Sequence, residues 1–249
     1  MTTMVDETQR TADDIATGWL EDFEAALRAQ DIDAAVDLFA TTSYWRDLVS
    51  FTWNLRTVED RDGVRDLLTH TLERVAPTDF ELSEPAATAD GVTEAWFTFA
   101  TSVGRGTGLV RLVDEDGTKA WTLLTALQEL DGHEEPRGPR RISGAKHGVD
   151  PQRKSWSEKR AEEDAAWGDT AHPYTLVVGG GQGGIALGAR LRQLGVPALV
   201  VDRWERPGDQ WRSRYKSLCL HDPVWYDHLP YLKFPDNWPV FAPNESSLV

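Results

Sequence analysis

The 249-residue sequence predicts an α+β unit followed by an α/β unit with one βαβ motif. Three observations carry this. Helically spaced apolar residues give way to alternating strand-like runs, a glycine- and proline-rich basic stretch comes next, and a glycine-rich turn then separates two short apolar runs. The charge divides the same way. Residues 1–135 carry a net −18 and residues 136–249 a net +3.

In the first unit, Ile15, Trp19, Leu20, Phe23, Ala26 and Leu27 recur at helical spacing. Asp31 is placed to cap a second helix through Ala34, Ala35, Leu38 and Phe39. Residues 43–53 alternate, which predicts a strand with Trp45, Asp47, Val49, Phe51 and Trp53 on one face. Tyr44, Arg46, Leu48 and Ser50 fall on the other. A helix over about 61–74 ends at Ala76-Pro77, and strand-like runs succeed it at 78–84, 92–103, 107–114 and 118–130. Asp90-Gly91 and Asp116-Gly117 mark hairpin turns, so an antiparallel meander is expected. The predicted boundaries are 1–132 for this unit, 133–173 for a linker and 174–249 for the α/β unit. Within the linker, Ser155 to Glu158 fits a capping box that opens a polar helix to about Trp167.

Tyr174 to Val178 is a continuous apolar run of the kind buried on both faces of a parallel sheet. Gly179-Gly180-Gly181-Gln182-Gly183-Gly184 then opens a helix striped by Ile185, Ala186, Ala189, Leu191 and Leu194 and ended by Gly195. A second apolar run, Ala198 to Val201, ends at Asp202. Strand, G-x-G-x-x-G turn, helix, strand and a terminal acid form the dinucleotide fingerprint. Gly179 permits the tight turn, Gly181 close approach of backbone to a pyrophosphate, and Gly184 close helix–strand packing. The helix start with Gln182 and Gly183 offers N–H groups to the anion. The Asp202 carboxylate suits two ribose hydroxyls and repels a 2′-phosphate, which leaves FAD or NAD.

The segment beyond Asp202 resembles the flavin-containing monooxygenases, a group that takes in relatives of the Baeyer–Villiger enzymes and the plant auxin-synthesis monooxygenases. The carrying residues are Arg203 to Trp211, Arg214 to Pro223, Tyr226 to Pro230 and Phe234 to Pro239. Gly208-Asp209-Gln210-Trp211 is similar to the family's flavin-contacting G-G-x-W loop, with Asp209 in place of the second glycine. Leu220-His221-Asp222-Pro223 is similar to the L-H-L-P of the plant branch. The resemblance implies an FAD cofactor and NADPH as co-substrate. It also implies oxygenation of a small organic substrate by dioxygen through a flavin hydroperoxide. Gly179, Gly181, Gly184 and Asp202 would hold the ADP half, with Gly208, Gln210 and Trp211 against the flavin and Arg203 a further cofactor-binding residue. His221 would either hydrogen-bond near the reactive edge or serve in a His-Asp-Pro turn. Cys219, out of phase with Leu218 and Leu220, is expected to be a packed thiol.

The order of elements in the first half resembles the SnoaL-like, or nuclear-transport-factor-like, cone-shaped α+β domains. That resemblance implies an apolar pocket, in some members with a carboxylate base. Asp47 is the candidate for proton abstraction, the alternatives being an ion pair with Arg46 or Arg56 or exposure at a bulge. A homodimer through this unit is a further expectation. His70 is expected at the surface or as a satisfied core residue.

There is no second fingerprint, because Gly104 to Gly108 has the wrong spacing. The sequence therefore reads as the amino-terminal piece of a monooxygenase, with its NADPH site lying elsewhere. A two-stranded remnant of the larger sheet predicts exposed apolar faces. The alternative is a non-catalytic, small-molecule-binding or dimerising SnoaL-like module with a vestigial nucleotide-binding tail. The acidic first half argues against nucleic-acid binding. No apolar run reaches the roughly 18 residues of a membrane span. The single cysteine, and a start without the apolar core of a secretory signal, point to the cytoplasm. No metal ion is expected.

Overall fold

A computed structural model describes residues 10–115, 118–141, 144 and 147–243. The expected Asp116-Gly117 turn and both chain ends, 1–9 and 244–249, lie outside the described residues. The chain divides into two compact units, Met1–Glu134 and Glu135–Val249, so residues 135–173 group with the second.

The first unit is α+β. Helix α1 (Ala12–Ala29) starts at a Thr11 capping box with Asp14 and buries Ala16, Trp19, Leu20, Phe23, Ala26 and Leu27 along one stripe. Helix α2 (Ile32–Asp37) is capped by Asp31, which accepts from the Ala34 N–H at 3.0 Å. The expected second helix ends earlier than predicted: Leu38 caps it and Phe39 already opens strand β1 (Phe39–Leu48). After β2 (Leu55–Glu59) and helix α3 (Asp60–Val75) come β3 (Thr78–Leu82), β4 (Ala87–Ala89), β5 (Val92–Thr101), β6 (Gly104–Asp114) and β7 (Thr118–Leu130). The sheet order is β2-β1-β7-β6-β5-β3, with β4 also on β5. It is mixed, not a pure meander, because β1 and β7 pair in parallel with Trp45 opposite Leu123 and Asp47 opposite Thr125.

The predicted strand over 43–53 stops at Leu48. Residues 49–54 form a loop with Val49 and Trp53 at φ of 59° and 55°, and Trp53 faces solvent, not the core. The chain turns there because Asp47 draws the backbone amides of Ser50, Phe51 and Thr52 onto its own carboxylate. The return strand β2 escapes an alternation search because only Val58 of its five residues is buried.

Between the helices and the sheet, Phe23, Phe39, Trp45, Phe51, Phe80 and Phe99 pack ring against ring, with centroids 4.8–6.3 Å apart. Fully burying each such ring is worth about 1.5–3 kcal/mol, and here rings occupy the interior where the cone resemblance implies a pocket. Gly106 and Gly108 face Phe99 and Phe97 across the β5–β6 ladder. A Cβ on either would come within 2.6 Å of the opposing ring's Cε1, which is why glycines recur in that strand.

In the second unit, helix α4 (Trp156–Ala166) starts at the Ser155–Glu158 capping box. Strand β8 (Thr175–Val178), helix α5 (Gln182–Gln193) and strand β9 (Ala198–Val201) form the βαβ motif, its strands parallel and in register from Thr175↔Ala198 to Val178↔Val201. Gly195, at φ 72°, ends α5 as expected. The apolar strand is not covered on both faces: Val177 is buried, but Leu176 and Val178 are 57% and 82% exposed, since β8 pairs only with β9 among the described residues. A four-residue helix, α6 (Asp209–Arg212), comes after.

Candidate functional site

The glycine turn is built by contacts that only glycine allows. Gly179 has φ 108°, and its N–H donates to the Val201 carbonyl at 2.8 Å, which locks the exit of β8 onto the end of β9. A Cβ on Gly184 would be driven into the Gly179 carbonyl oxygen and would lie 3.5 Å from Val177 Cγ1, so α5 sits directly on β8 there. One helical turn on, a Cβ on Gly188 would lie 2.8 Å from Val200 Cγ2. This is a second close-packing glycine that motif spacing does not reveal but its i+4 position does. The first bond within α5 runs from the Ile185 N–H to Gly181 at 2.9 Å, so the preceding N–H groups have no partner within the helix. Gly181 faces the Gln210 carboxamide, and Gly183 has open space around it.

Asp202 stands just beyond β9, beside that turn. Its carboxylate accepts from the Trp204 N–H at 2.9 Å and from the Gly180 N–H. These bonds, Trp204 first, hold its pKa below the usual carboxylate value. The Arg203 guanidinium lies 4.9 Å over the Trp204 ring.

Three grooves meet at Gly181 and Gln210. One of about 910 Å³ runs past Gly179, Gly184, Asp202, Arg203 and Arg214. A second, of about 330 Å³, is walled by Gln182, Gly208, Trp211, Leu229, Phe234 and Trp238. The third, of about 700 Å³, passes Gly183, Trp211, Cys219, His221, Asp227 and His228. The structure thus brings Gly181, Gln182, Gly183, Gly184, Asp202, Arg203, Gly208, Gln210 and Trp211 onto one connected concavity. The Leu229, Phe234 and Trp238 walls carry no role in the sequence motifs, and only the resemblance of their segments flags them.

Gly208 takes φ 86°, whereas Asp209 starts α6 at ordinary φ, so a side chain is tolerated where a second glycine is expected. The Asp209 carboxylate pairs with Arg212 at 2.8 Å and Arg206 at 3.1 Å and is held below its usual pKa, chiefly by Arg212. Cys219 is exposed, not packed: no strand forms there, only a bridge to Pro243, so a two-residue alternation does not apply. His221 is 89% exposed on the third groove, with Nδ1 3.1 Å from Asp222 Oδ2. His221, Asp222 and Asp227 bring ligand-type atoms within 4.8 Å of one another, all exposed, a common arrangement without a metal.

In the first unit, Asp47 is fully buried and its carboxylate is saturated. Its Oδ1 accepts from the N–H groups of Ser50 (3.2 Å) and Phe51 (3.1 Å), the Ser50 hydroxyl and the Thr125 hydroxyl (3.0 Å). Its Oδ2 accepts from the N–H groups of Phe51 (3.1 Å) and Thr52 (2.8 Å) and the Thr52 hydroxyl (2.6 Å). Neither Arg46 nor Arg56 is its partner: they bond Thr57 and Asp66 instead. Thr125 also accepts from Trp45 Nε1 at 2.9 Å, and Arg74 holds the Phe51 carbonyl at 2.9 Å. His70 lies at the surface against Asp66.

These features define a chain with an α+β unit of helices on a mixed sheet and a second unit whose βαβ motif carries the glycine fingerprint. No protein-family model matches the chain. Among curated proteins, it is 39% identical over 74 residues to indole-3-pyruvate monooxygenase YUCCA1 of Oryza sativa subsp. japonica, which covers 29% of this chain and 18% of that protein. It is also 39% identical over 68 residues to an uncharacterized CzcO-like oxidoreductase of Geobacillus kaustophilus, covering 26% of this chain and 20% of the other. The chain thus spans about a fifth of the length of the curated relatives it matches. The similarity to monooxygenases that the motifs lead one to expect is present.

Similar solved structures include a ketosteroid isomerase-like protein from Erwinia carotovora atroseptica, at TM-score 0.41 and 10% identity, covering 50% of this chain and 99% of that one. Another is an NTF2-like protein with a cystatin-like fold from Novosphingobium aromaticivorans, at TM-score 0.37 and 10% identity, covering 46% and 80%. No helix among the described residues is long and apolar enough to cross a membrane.

Proposed function

We propose that the second unit binds FAD and that this chain supplies the FAD-binding segment of a flavin-dependent monooxygenase. Such an enzyme takes electrons from NADPH and transfers one atom of dioxygen to a small organic substrate. The observation that carries the reading is the convergence of the three grooves on the glycine turn, with Asp202 at one end and an apolar cleft at the other. An elongated ligand with an anionic middle, a ribose on one side and a flat apolar ring system on the other matches that order.

The residues fit this group. The N–H groups at the start of α5 face the turn and can take a pyrophosphate, and any Cβ at Gly184 would lift the helix off the strand. The Gln210 side chain, now lying against Gly181, is flexible enough to swing aside. Asp202 keeps its charge and can exchange a backbone partner for ribose hydroxyls. Arg203 flanks the ribose end. Trp211, Leu229, Phe234 and Trp238 would cover the ring and exclude water, and His221 would lie at the outer groove as a hydrogen-bonding group. Bound flavin supplies the redox and oxygen chemistry, and these side chains hold and shield it.

The test is visible absorption after incubation with FAD and desalting. The unaltered chain should retain flavin and Gly184→Ala should lose it, because the new methyl meets the Gly179 carbonyl. A colourless unaltered chain refutes the reading.

For the first unit we propose that Asp47 anchors the 49–54 loop instead of abstracting a proton, since all its acceptor positions are occupied. We further propose a second copy of the chain as its partner, across the open sheet face. There Trp96, Leu109 and Leu124 form a cross-strand row that continues to Arg46 of β1, with Tyr44 two residues before Arg46, and Tyr44 and Trp96 are 39% and 38% exposed. A cytoplasmic setting accords with the single cysteine.

A further inference from the structure

One buried carboxylate of the second unit belongs to neither the fingerprint nor the groove walls. Glu135, near the start of that unit, is 4% exposed. Its Oε2 lies 2.6 Å from Arg190 Nη1 on α5, and its Oε1 accepts from the Tyr231 hydroxyl. The Arg190 guanidinium also sits 5.4 Å from the centre of the Tyr231 ring. A second bond ties α5 to the same segment: Gln193 Nε2 donates to the Pro136 carbonyl at 2.9 Å.

Tyr231 itself takes φ 66°, a conformation that bulky residues avoid unless their surroundings impose it. It sits in the turn closed by the Leu232 N–H on the Leu229 carbonyl at 3.1 Å, and Leu229 walls both the 330 Å³ cleft and the groove beside it. A carboxylate this deeply buried is stable only while its partners stay in place. Its two charge-assisted bonds therefore fix the position of whatever they hold. One holds α5, the helix whose start faces the glycine turn. The other holds the turn that carries Leu229.

We propose that Glu135, through Arg190 and Tyr231, is a positioning residue for the cofactor cleft. It latches the 229–232 turn to α5 and so sets the Leu229 wall against the ligand's ring system. The segment ahead of the fingerprint is then part of the site's frame and not a passive tether. The inference rests on the flavin-binding reading.

The test uses the full chain with Tyr231→Phe, Glu135→Ala and the conservative Glu135→Gln, which keeps an acceptor for the Tyr231 hydroxyl. Two quantities are measured: the rate of trypsin cleavage after Lys233 in FAD-free protein, and FAD affinity by flavin fluorescence together with the shape of the visible band. Tyr231→Phe and Glu135→Ala should be cleaved several-fold faster and bind FAD roughly tenfold more weakly with a shifted band, Glu135→Gln falling between. Should Glu135→Ala fail to fold, Tyr231→Phe, which loses a single hydroxyl, carries the test.

Unchanged cleavage overturns the latch. Faster cleavage with unchanged affinity and spectrum overturns its role in positioning. An unaltered chain without flavin affinity refutes the flavin reading and with it the cofactor role, while the cleavage rates still decide whether the latch exists.

Discussion

Replacing Asp47 by asparagine separates an anchor from a base. In the unaltered chain the carboxylate takes hydrogen bonds from three successive backbone amides and three hydroxyls, and Ser50, Phe51 and Thr125 are themselves buried. Asparagine keeps one accepting oxygen and turns an NH2 toward backbone N–H groups that can only donate. With the oxygen at the Oδ1 position the Thr52 N–H loses its acceptor, and with it at the Oδ2 position the Ser50 N–H does, while the Phe51 N–H keeps one either way. At about 1–3 kcal/mol for a donor left unpaired, the loss comes to about 2 kcal/mol. For a unit of this size that lowers the melting midpoint by roughly 7 °C. Urea unfolding followed by tryptophan fluorescence reads the change through Trp45, whose Nε1 bonds the same Thr125. Unfolding free energies within about 0.5 kcal/mol of each other would refute the anchor, since surface substitutions of no structural consequence fall in that range. A catalytic base predicts the opposite pattern, with stability kept and turnover lost.

The titrating groups of the second unit and the open sheet face of the first give two further expected outcomes. Asp202 and Asp209 titrate below the usual 3.8, so their contributions to the stability of the second unit are complete above that pH and vanish as it falls through their lowered values. Tyr231 titrates above the usual 10.0, raised by its partial burial and then by Glu135, so its contribution is complete below pH 10.0 and is lost as pH rises through the raised value. Melting midpoints of the second unit should therefore be level near neutrality and fall at both extremes, with a smaller alkaline fall in Tyr231→Phe; an unchanged alkaline limb contradicts this. On the first unit, Trp96→Lys places like charges across the proposed twofold contact, so sedimentation should show a dimer for the unaltered chain and a monomer for the variant. Identical sedimentation of the two dismisses that face as the interface.

The features legible in the sequence are local. The fingerprint glycines, Asp202, the Ser155 cap and the Gly195 stop each act within a few residues or one βαβ motif, and each stands where expected. Most of the features that escaped it depend on partners far along the chain. Val49 to Trp53 alternates like a strand, yet Asp47, Thr125 and Arg74 fold it into a loop, and Thr125 lies 78 residues from Asp47. Strand β2 shows one buried residue in five, too few for a pattern. In the site, Glu135 and Tyr231 are 96 positions apart and share no motif. Leu176 and Val178 read as core because apolar character records what a strand can bury, not what lies against it.

The parallel pairing of β1 with β7 also dictates an order of events. The middle of the first sheet is made of the earliest and the latest strands of that unit, and no hairpin can bring them together. During synthesis β1 can pair early with β2, Leu48 against Leu55, but its other edge waits until about residue 126 has emerged, since Leu48 finds its β7 partner only at Ala126. Helical segments and the β5–β6–β7 hairpins can form early. The central seam closes last. Folding of this unit should then be a single slow step gated by closure of a long loop, and the chain is most exposed to misassembly between the emergence of β1 and the arrival of β7.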